Sequence, residues 1–389
     1  MKKIIIVNNN MKIGGAQKAL LSLLEVISPY YDITLLLFCA QGELLSDIPP
    51  NIKILEVKDC FRFLGISQKD CKFILDYLFR AFLASIARII SFRIAVHIML
   101  FISRFKKIDT KYDIAISYIH CCAPRNFYGG VVEYVLNMID SKHKSCFIHC
   151  DYIQSGTCTD YSKSLYRKFD SIIGVSKSVT HQFTSVLPDL KDRTYTIYNA
   201  INSEKIHSLA LEDPFQYNDA EINFLSVSRL SEEKGLDRFI RALGNLYKLN
   251  FHYYIIGEGM YRATIEETIQ QCKLKDKVTL LGEKSNPYRY MINADLLVVP
   301  SYHEAAPVVF QEALCLKLPI LSTNTLSAKE MIPKKCGFVV DNTEYSICAF
   351  VEKMEYDPAL LLKAKKAATS YNYEPNQTYK AFSAIFDSF

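Results

Sequence analysis

Short, continuously apolar runs rich in β-branched residues recur along this chain, each followed by a stretch with helical spacing, and the series stops near residue 200 and starts again. Runs at 4–8, 33–38, 113–118, 144–149 and 171–175 predict buried strands, with a helix over 16–27 behind the Gly14-Gly15 turn. Runs at 222–228, 253–256, 278–281, 296–299, 319–322 and 338–340 predict a second set, with a helix over 236–249. Strands that are apolar on both faces belong to parallel sheets covered by helices on each side. The pattern therefore predicts two successive α/β, doubly wound domains. A length of 389 residues suits two such cores better than one. The first is assigned to 1–201 and the second to 202–372, with the polar stretch 202–218 as linker. An amphipathic helix within 373–389 is expected to pack back onto the first domain.

Composition narrows the function classes. Half of the residues are apolar, 22% are charged and the net charge is +5, without the dense Lys/Arg runs of a nucleic-acid binder. A phosphate-bearing substrate or an anionic membrane surface suits so mild an excess. The 12 cysteines show no Cys-x-x-Cys spacing, which argues against structural zinc. Cys315 and others sit in apolar runs, so reduced thiols and a cytoplasmic location are expected. The apolar run behind Met1-Lys2-Lys3 covers only 4–7, too short for an export signal.

One segment departs from the pattern. Residues 72–107 are rich in Phe, Ile and Leu and carry Lys72, Arg80, Arg88, Arg93, Arg104, Lys106 and Lys107, with Asp76 as their sole acid. The charges leave no uncharged stretch of about 18 residues, so a membrane span is not expected. At about 100° per residue, Arg80, Arg88 and Ser91 share one face, and Arg93, His97 and Arg104 cluster on another. Two consecutive amphipathic helices with a break near 92 follow. Basic amphipathic helices can lie in a membrane interface. An ordinary pair of helices with one face in the core is the alternative.

Two stretches carry candidate chemistry. Ser228-Arg229 and then Lys234-Gly235 fall at the carboxyl end of a predicted strand, the edge at which open α/β sheets bind ligands. Two cations there suit a diphosphate and stabilise it as a leaving group. Glu304 sits in a loop between Pro300 and Pro307, and Glu312 lies in the apolar helix that follows. A carboxylate in such a helix needs a partner, and ribose or sugar hydroxyls would serve. The backbone amides of Ala305, Ala306, Pro307 and Val308 mark the helix start, where a phosphate would be received, proline lending position but no N–H. A capping Glu304 and a solvent-facing Glu312 is the alternative.

Pro-Ser, Glu304, seven residues, Glu312-Ala313 and then Pro319 resemble the Glu-x7-Glu signature of glycosyltransferase family 4. The resemblance continues through Gly14-Gly15-Ala16-Gln17, Gly174-Val175-Ser176-Lys177, Asn199-Ala200-Ile201-Asn202, Ser228-Arg229, Lys234-Gly235, Gly257-Glu258-Gly259 and Ala294-Asp295. It implies the GT-B fold, two Rossmann-like doubly wound domains facing a central cleft. It implies that Arg229 and Lys234 bind the diphosphate of a nucleotide sugar, Glu312 the ribose, and Glu304 the transferred sugar. Gly14 and Gly15 would admit the phosphates closely. Gly257, Glu258, Gly282 and Glu283 would lie around the nucleobase. His149 takes the place of a His-x-Asp segment and would stand near the reacting carbon. Two departures are Ala305 and Lys317, where the family favours glycine.

The family retains anomeric configuration. The resemblance implies front-face transfer, in which the acceptor hydroxyl attacks on the side the diphosphate leaves and a phosphate oxygen takes its proton. No Asp-x-Asp pair occurs in the chain, which fits a metal-independent enzyme with no cofactor beyond its donor. UDP is the expected nucleotide. With the 72–107 segment at a membrane, the acceptor would be a glycan on an undecaprenyl-type lipid carrier. The enzyme would then be peripheral on the cytoplasmic face of the inner membrane, in assembly of capsule, O-antigen or lipopolysaccharide. A nucleotide-sugar epimerase of the same fold and a non-catalytic sugar-binding subunit are the rival readings.

Overall fold

The structure is a computed structural model. It describes residues 1–71, 73–104, 108–246, 249–372 and 377–389. The chain divides into two compact units, Met1–Ala200 with Asn376–Phe389, and Ile201–Pro375.

Unit 1 is a parallel sheet of β1 (Lys3–Asn8), β2 (Asp32–Leu37), β3 (Lys53–Glu56), β4 (Ile108–Ser117), β5 (Ile139–Ile148), β6 (Ser171–Gly174) and β7 (Thr194–Thr196), in the order β3-β2-β1-β4-β5-β6-β7. Ile4 aligns with Ile33 on β2 and with Ile114 on β4. Ile4, Ile5, Ile6 and Val7 have no exposed surface, as a central strand covered on both faces requires. The order reverses between β1 and β4, which makes the ends of these strands the switch point of the sheet. Two strands escaped the sequence reading. β3 is an edge strand that leaves Lys53, Ile54 and Glu56 exposed, and β7 has only three residues. Neither buries enough to need an apolar run. The helix Gln377–Phe386 belongs to this unit, with Tyr379 stacked on Tyr30 at 4.2 Å and the Thr378 hydroxyl donating to Tyr198 O at 3.2 Å. Residues 373–376 of the expected C-terminal helix lie outside the described residues.

Unit 2 repeats the plan with β8 (Ile222–Val227), β9 (Phe251–Ile256), β10 (Val278–Gly282), β11 (Leu296–Val299), β12 (Ile320–Thr323) and β13 (Gly337–Val340), ordered β10-β9-β8-β11-β12-β13. Its switch point lies between β8 and β11. The helix after β8 ends at Leu243 under Gly244, short of the expected 249. The expected linker is corrected too. Residues Ser203–Leu211 form a helix capped by the Asn202 side chain, which buries Ile206 and Ala210 one turn apart. It packs on the helices Tyr288–Met291 and Val308–Cys315 of the same unit. Polar residues cover its outer face, and they masked it in the sequence.

The apolar basic segment forms the helix Ile74–Ile86, a π turn at Ala87–Ser91 and the helix Phe92–Ser103. Ser91 is extended (φ −174°, ψ 141°), which places the break where the sequence puts it. One 18-residue window within Ile74–Ser103 reaches a mean hydropathy of 1.8, enough by length and composition to cross a membrane. That corrects the composition argument, since the scattered arginines do not lower the window enough; the extended Ser91 is what interrupts a straight span. Lys72, Lys106 and Lys107 lie outside the described residues. All 12 cysteines are free thiols.

Candidate active site

The loops that leave β8 and β11 carry the predicted charged residues, and local packing brings two of them together. Lys234 ends a short 3-10 turn, Glu232–Lys234. Gly235 follows with φ +59°, and a Cβ there would lie 2.3 Å from Pro300 O, so only glycine lets the two loops touch. The Tyr302 N–H donates to Glu233 O at 2.8 Å and ties them again. Lys234 Nζ thereby stands 2.7 Å from Glu304 Oε1, with the two side chains 19% and 13% exposed. Ser301 Oγ donates to the same oxygen at 2.8 Å. Arg229 stays apart, 73% exposed, with Nη2 at 3.4 Å from Glu233 Oε1.

Arg238 escaped the sequence reading and holds this loop. It is 1% exposed in the helix Leu236–Leu243. Its Nε donates to Pro300 O at 2.8 Å, and Nη2 donates to Ser301 O and to Asn342 Oδ1, both at 2.8 Å. The guanidinium also lies 3.9 Å from the centre of the Tyr302 ring. Burial lowers its pKa, although neighbouring Tyr302 and Asp237 oppose this. The signal was an arginine among Leu236, Phe239 and Ile240 in a helix with an apolar face.

Glu312 is 4% exposed in the helix Val308–Cys315. The hydroxyl of Tyr288 donates to its Oε1 at 2.7 Å, a partner that nothing in the sequence pointed to. Ala305 and Val308 are buried, Ala306 is half-buried, and Pro307 caps the helix with extended backbone. Ala305 is not among the non-glycine residues with positive φ, so alanine stands there without backbone strain. The other departure does fall on a left-handed position: Lys317 has φ +62°, just past the helix end, and its Nζ donates to Tyr371 O.

The predicted nucleobase residues meet at the ends of β8, β9 and β10. A Cβ on Gly257 would lie 1.8 Å from Ser228 O, so the protein itself requires this glycine. The Gly257 N–H donates to Gly282 O at 2.9 Å. Glu258 pairs with Arg262 at 2.6 Å, and Glu283 is exposed.

In unit 1, Gly14 caps the helix Gly15–Ile27 after β1, and a Cβ on Gly15 would meet nothing within 4 Å. Among the described residues no contact asks for glycine there, which leaves space for a ligand. His149 ends β5. Its N–H donates to His120 Nδ1 at 3.4 Å, and its ring packs on Tyr118 at 4.6 Å. Burial, with His120 alongside, pushes its imidazole down to about 3, so the ring is neutral near pH 7. Its Nε2 is buried without a hydrogen-bond partner among the described residues. Burial alone would raise the adjacent Cys150 thiol; His120 overcomes this and draws it below its usual range. Glu133, 2% exposed on the helix Val131–Met138, is pushed up to about 7 by burial.

The geometry thus offers, in unit 2, an ammonium and two carboxylates around a sheet switch point, a set suited to an anionic, hydroxyl-bearing ligand. The comparisons with known proteins agree in kind. Residues 211–372 match the family described as Glycosyl transferases group 1. Over 99% of this chain and 97% of its own length, the N-acetylgalactosamine-N,N'-diacetylbacillosaminyl-diphospho-undecaprenol 4-alpha-N-acetylgalactosaminyltransferase of Campylobacter jejuni is 26% identical. The crystal structure of HepE from Anabaena in complex with UDP-glucose superposes with a TM-score of 0.69 over 100% of both chains, at 15% identity. The fold is GT-B, and the relatives are glycosyltransferases. A third, the amylovoran biosynthesis glycosyltransferase AmsK of Erwinia amylovora, is 35% identical over 43% of this chain and 44% of its own length. The relatives include enzymes of bacterial polysaccharide biosynthesis and one whose named acceptor is lipid-linked. The matched region 211–372 contains Arg229, Lys234, Glu304 and Glu312.

Proposed function

We propose that this chain is a retaining, metal-independent glycosyltransferase of family 4. It moves a hexose or N-acetylhexosamine from a UDP-sugar to a glycan or lipid-linked saccharide in bacterial surface polysaccharide assembly. The observation that carries the reading is the Lys234–Glu304 pair, held at 2.7 Å beside the switch point of unit 2. Bound donor gives Lys234 a diphosphate to neutralise, and Glu304 passes from the ammonium to the sugar hydroxyls. Arg229, exposed at the same loop, adds the second cation, and Glu312 takes the ribose. The acceptor oxygen then bonds to the anomeric carbon as the bond to the diphosphate breaks, and the acceptor proton goes to the departing phosphate oxygen. The protein's part is positioning and stabilisation of the leaving group.

Acceptor recognition falls to unit 1. Its neutral His149 offers an unpaired Nε2 that can accept a hydrogen bond from a hydroxyl. Around Ile74–Ser103, Ile74, Leu75, Leu78, Phe82, Ile89 and Ile90 are each more than half exposed, alongside exposed Arg88 and Arg93. An apolar surface with cations supports a peripheral seat on the cytoplasmic face of the inner membrane.

The test is incubation of the protein with UDP-sugars, with and without membrane lipid extract and with excess EDTA. Transfer that depends on the extract, persists in EDTA and disappears in Glu304→Ala is expected. Loss of activity in EDTA restored by manganese would overturn metal independence. Conversion of the donor to its epimer without any acceptor would replace transfer by epimerisation. Failure to float with phosphatidylglycerol vesicles at low salt would remove the membrane seat.

A further inference from the structure

The carboxyl ends of β4 and β5 build a thiol site that the transfer reaction does not use. The two strands pair with Ser117 against Cys146. Carried three residues further, that register sets His120 against His149, and the His149 N–H donates to His120 Nδ1 at 3.4 Å. The His120 ring is thereby held within hydrogen-bond reach of the next side chain, the Cys150 thiol. The chain then turns back on the sulfur. Gly156 takes a left-handed backbone (φ +70°), and the buried Thr157 returns with its Oγ1 3.5 Å from Cys150 Sγ. Ser155 Oγ stands 2.9 Å from the same hydroxyl.

The sulfur therefore faces an imidazole and two hydroxyls. The acid next to it in the chain is engaged elsewhere: Asp151 Oδ1 accepts from the Gln154 N–H at 3.0 Å and from Gln182 Nε2 at 2.9 Å. A route from solvent is open. Cys150 is half-buried, residues 153–156 are exposed, and a Cβ on Gly156 would meet nothing within 4 Å. Burial opposes charge on both members of the pair, yet their contact prevails: the His120 imidazole is raised and the Cys150 thiol is drawn down. Other half-buried thiols go the opposite way. Burial and then Glu56 push Cys39 up to about 11, and burial raises Cys272. The thiolate is the nucleophile in thiol–disulfide exchange, so these surroundings single out Cys150.

We propose that Cys150, with His120 and Thr157 around its sulfur, is a modification site that exchanges with a small-molecule disulfide and carries a mixed disulfide at the end of β5. The Cys150 sulfur attacks one sulfur of the disulfide. A bond forms between them as the S–S bond of the reagent breaks. The departing thiolate takes up the proton that Cys150 loses, with His120 holding it in between. Cys150 is oxidised, and one half of the reagent leaves reduced, as a thiol. His120 acts through the sulfur and is a positioning residue. The inference is independent of the transfer reaction proposed above, because no step of that reaction passes through this thiol.

Glutathione disulfide tests the site on the whole native protein, with exchange quenched by acid and each cysteine followed by peptide mass mapping. At pH 7, Cys150 should be thiolated about tenfold faster than Cys39 and Cys272. Its rate should rise with pH about a midpoint below that of an ordinary thiol, and the rate at Cys272 about a midpoint above it. His120→Asn should slow exchange at Cys150 about fivefold and raise its midpoint, with Cys39 and Cys272 unchanged, a pattern that general loosening of unit 1 does not give. Thiolation of Cys39 or Cys272 as fast as Cys150 would overturn the proposal. So would a Cys150 midpoint at or above that of an ordinary thiol, or an unchanged rate and midpoint in His120→Asn. The comparison of rates and the pH profile are made on the native protein, so they decide the matter even where His120→Asn does not fold.

Discussion

Around the switch point of unit 2 the protein keeps its charges and pairs them, Lys234 with Glu304 and Arg238 with the carbonyls of Pro300 and Ser301. Beside the switch point of unit 1, burial instead pushes His149 down to about 3 and Glu133 up to about 7. Each sheet is parallel, and each reverses its strand order in the same way. What differs is how the loops treat charge: paired in unit 2, suppressed by burial in unit 1. A multiply charged ligand needs cations already placed and kept from collapsing, which costs paired carboxylates and a rigid loop. A neutral, hydroxyl-rich ligand needs uncharged acceptors, which burial supplies without partners. On the donor and acceptor roles proposed above, one fold used twice would separate the charged leaving group from the hydroxyl that attacks.

The largest effect should come from the residue that keeps the unit 2 loop rigid. Arg238→Ala leaves two carbonyls and Asn342 Oδ1 without their buried donor. A loss of roughly 3–5 kcal/mol is expected in urea unfolding of unit 2. A loss below about 1 kcal/mol would mean that the loop holds itself and that the pairing at this switch point is not structural.

The contrast at unit 1 predicts a pH dependence of opposite origin. Glu133 has its folded pKa raised from an ordinary 4.5 to about 7. Between those values the native state keeps a proton that the unfolded chain has released, so stability falls as pH rises through the window and levels off above it. The whole change is about 3 kcal/mol. Glu133→Gln removes it. The variant should match the native protein near pH 4 and exceed it in unfolding midpoint by an amount that grows up to pH 7 and then stays constant. A difference that does not vary with pH would show that burial does not set this carboxyl.

Glu304 tests whether pairing at unit 2 is a holding state for the donor. Lys234 must leave Glu304 Oε1 to meet a diphosphate. Glu304→Gln should therefore bind free UDP about fivefold more tightly, roughly 1 kcal/mol, while transfer falls by about 10²-fold. Weaker UDP binding in this variant would make Glu304 a residue that aims Lys234 and not one that competes for it.

How much of this could be read from the chain depends on how each residue is held. Strands such as β1 and β11 are buried on both faces, so their apolar runs were visible. β3 and β7 lie at the sheet edge and had no such mark. The helix Ser203–Leu211 buries little beyond Ile206 and Ala210 and read as a linker. In the site, Lys234, Glu304 and Glu312 were legible because charge in an apolar context at a strand or helix end is unusual. Arg238 and Tyr288 were not. Their partners are backbone carbonyls at residues 300–301 and a carboxylate 24 residues away, contacts that exist only after folding. Sequence reading finds charged groups in an apolar context more readily than the groups that hold them still.

Tyr288 gives the smallest and most specific test of that division. Its hydroxyl donates to Glu312 Oε1 at 2.7 Å inside unit 2. Glu312 is 4% exposed, so its carboxylate depends on donors to stay in place. Tyr288→Phe removes one donor and leaves the ring, so packing is kept. If Glu312 holds the ribose, a less firmly oriented carboxylate weakens ground-state binding of the whole donor and leaves the reacting end untouched. KM for the UDP-sugar should then rise about tenfold, close to 1.4 kcal/mol, with kcat within about twofold. The native preference for UDP over its 2′,3′-dideoxy analogue should shrink by the same factor, because only the ribose hydroxyls report on Glu312. A fall in kcat with KM unchanged would place Tyr288 and Glu312 at the reacting sugar instead, and would move the carboxylate assigned to binding into the chemistry.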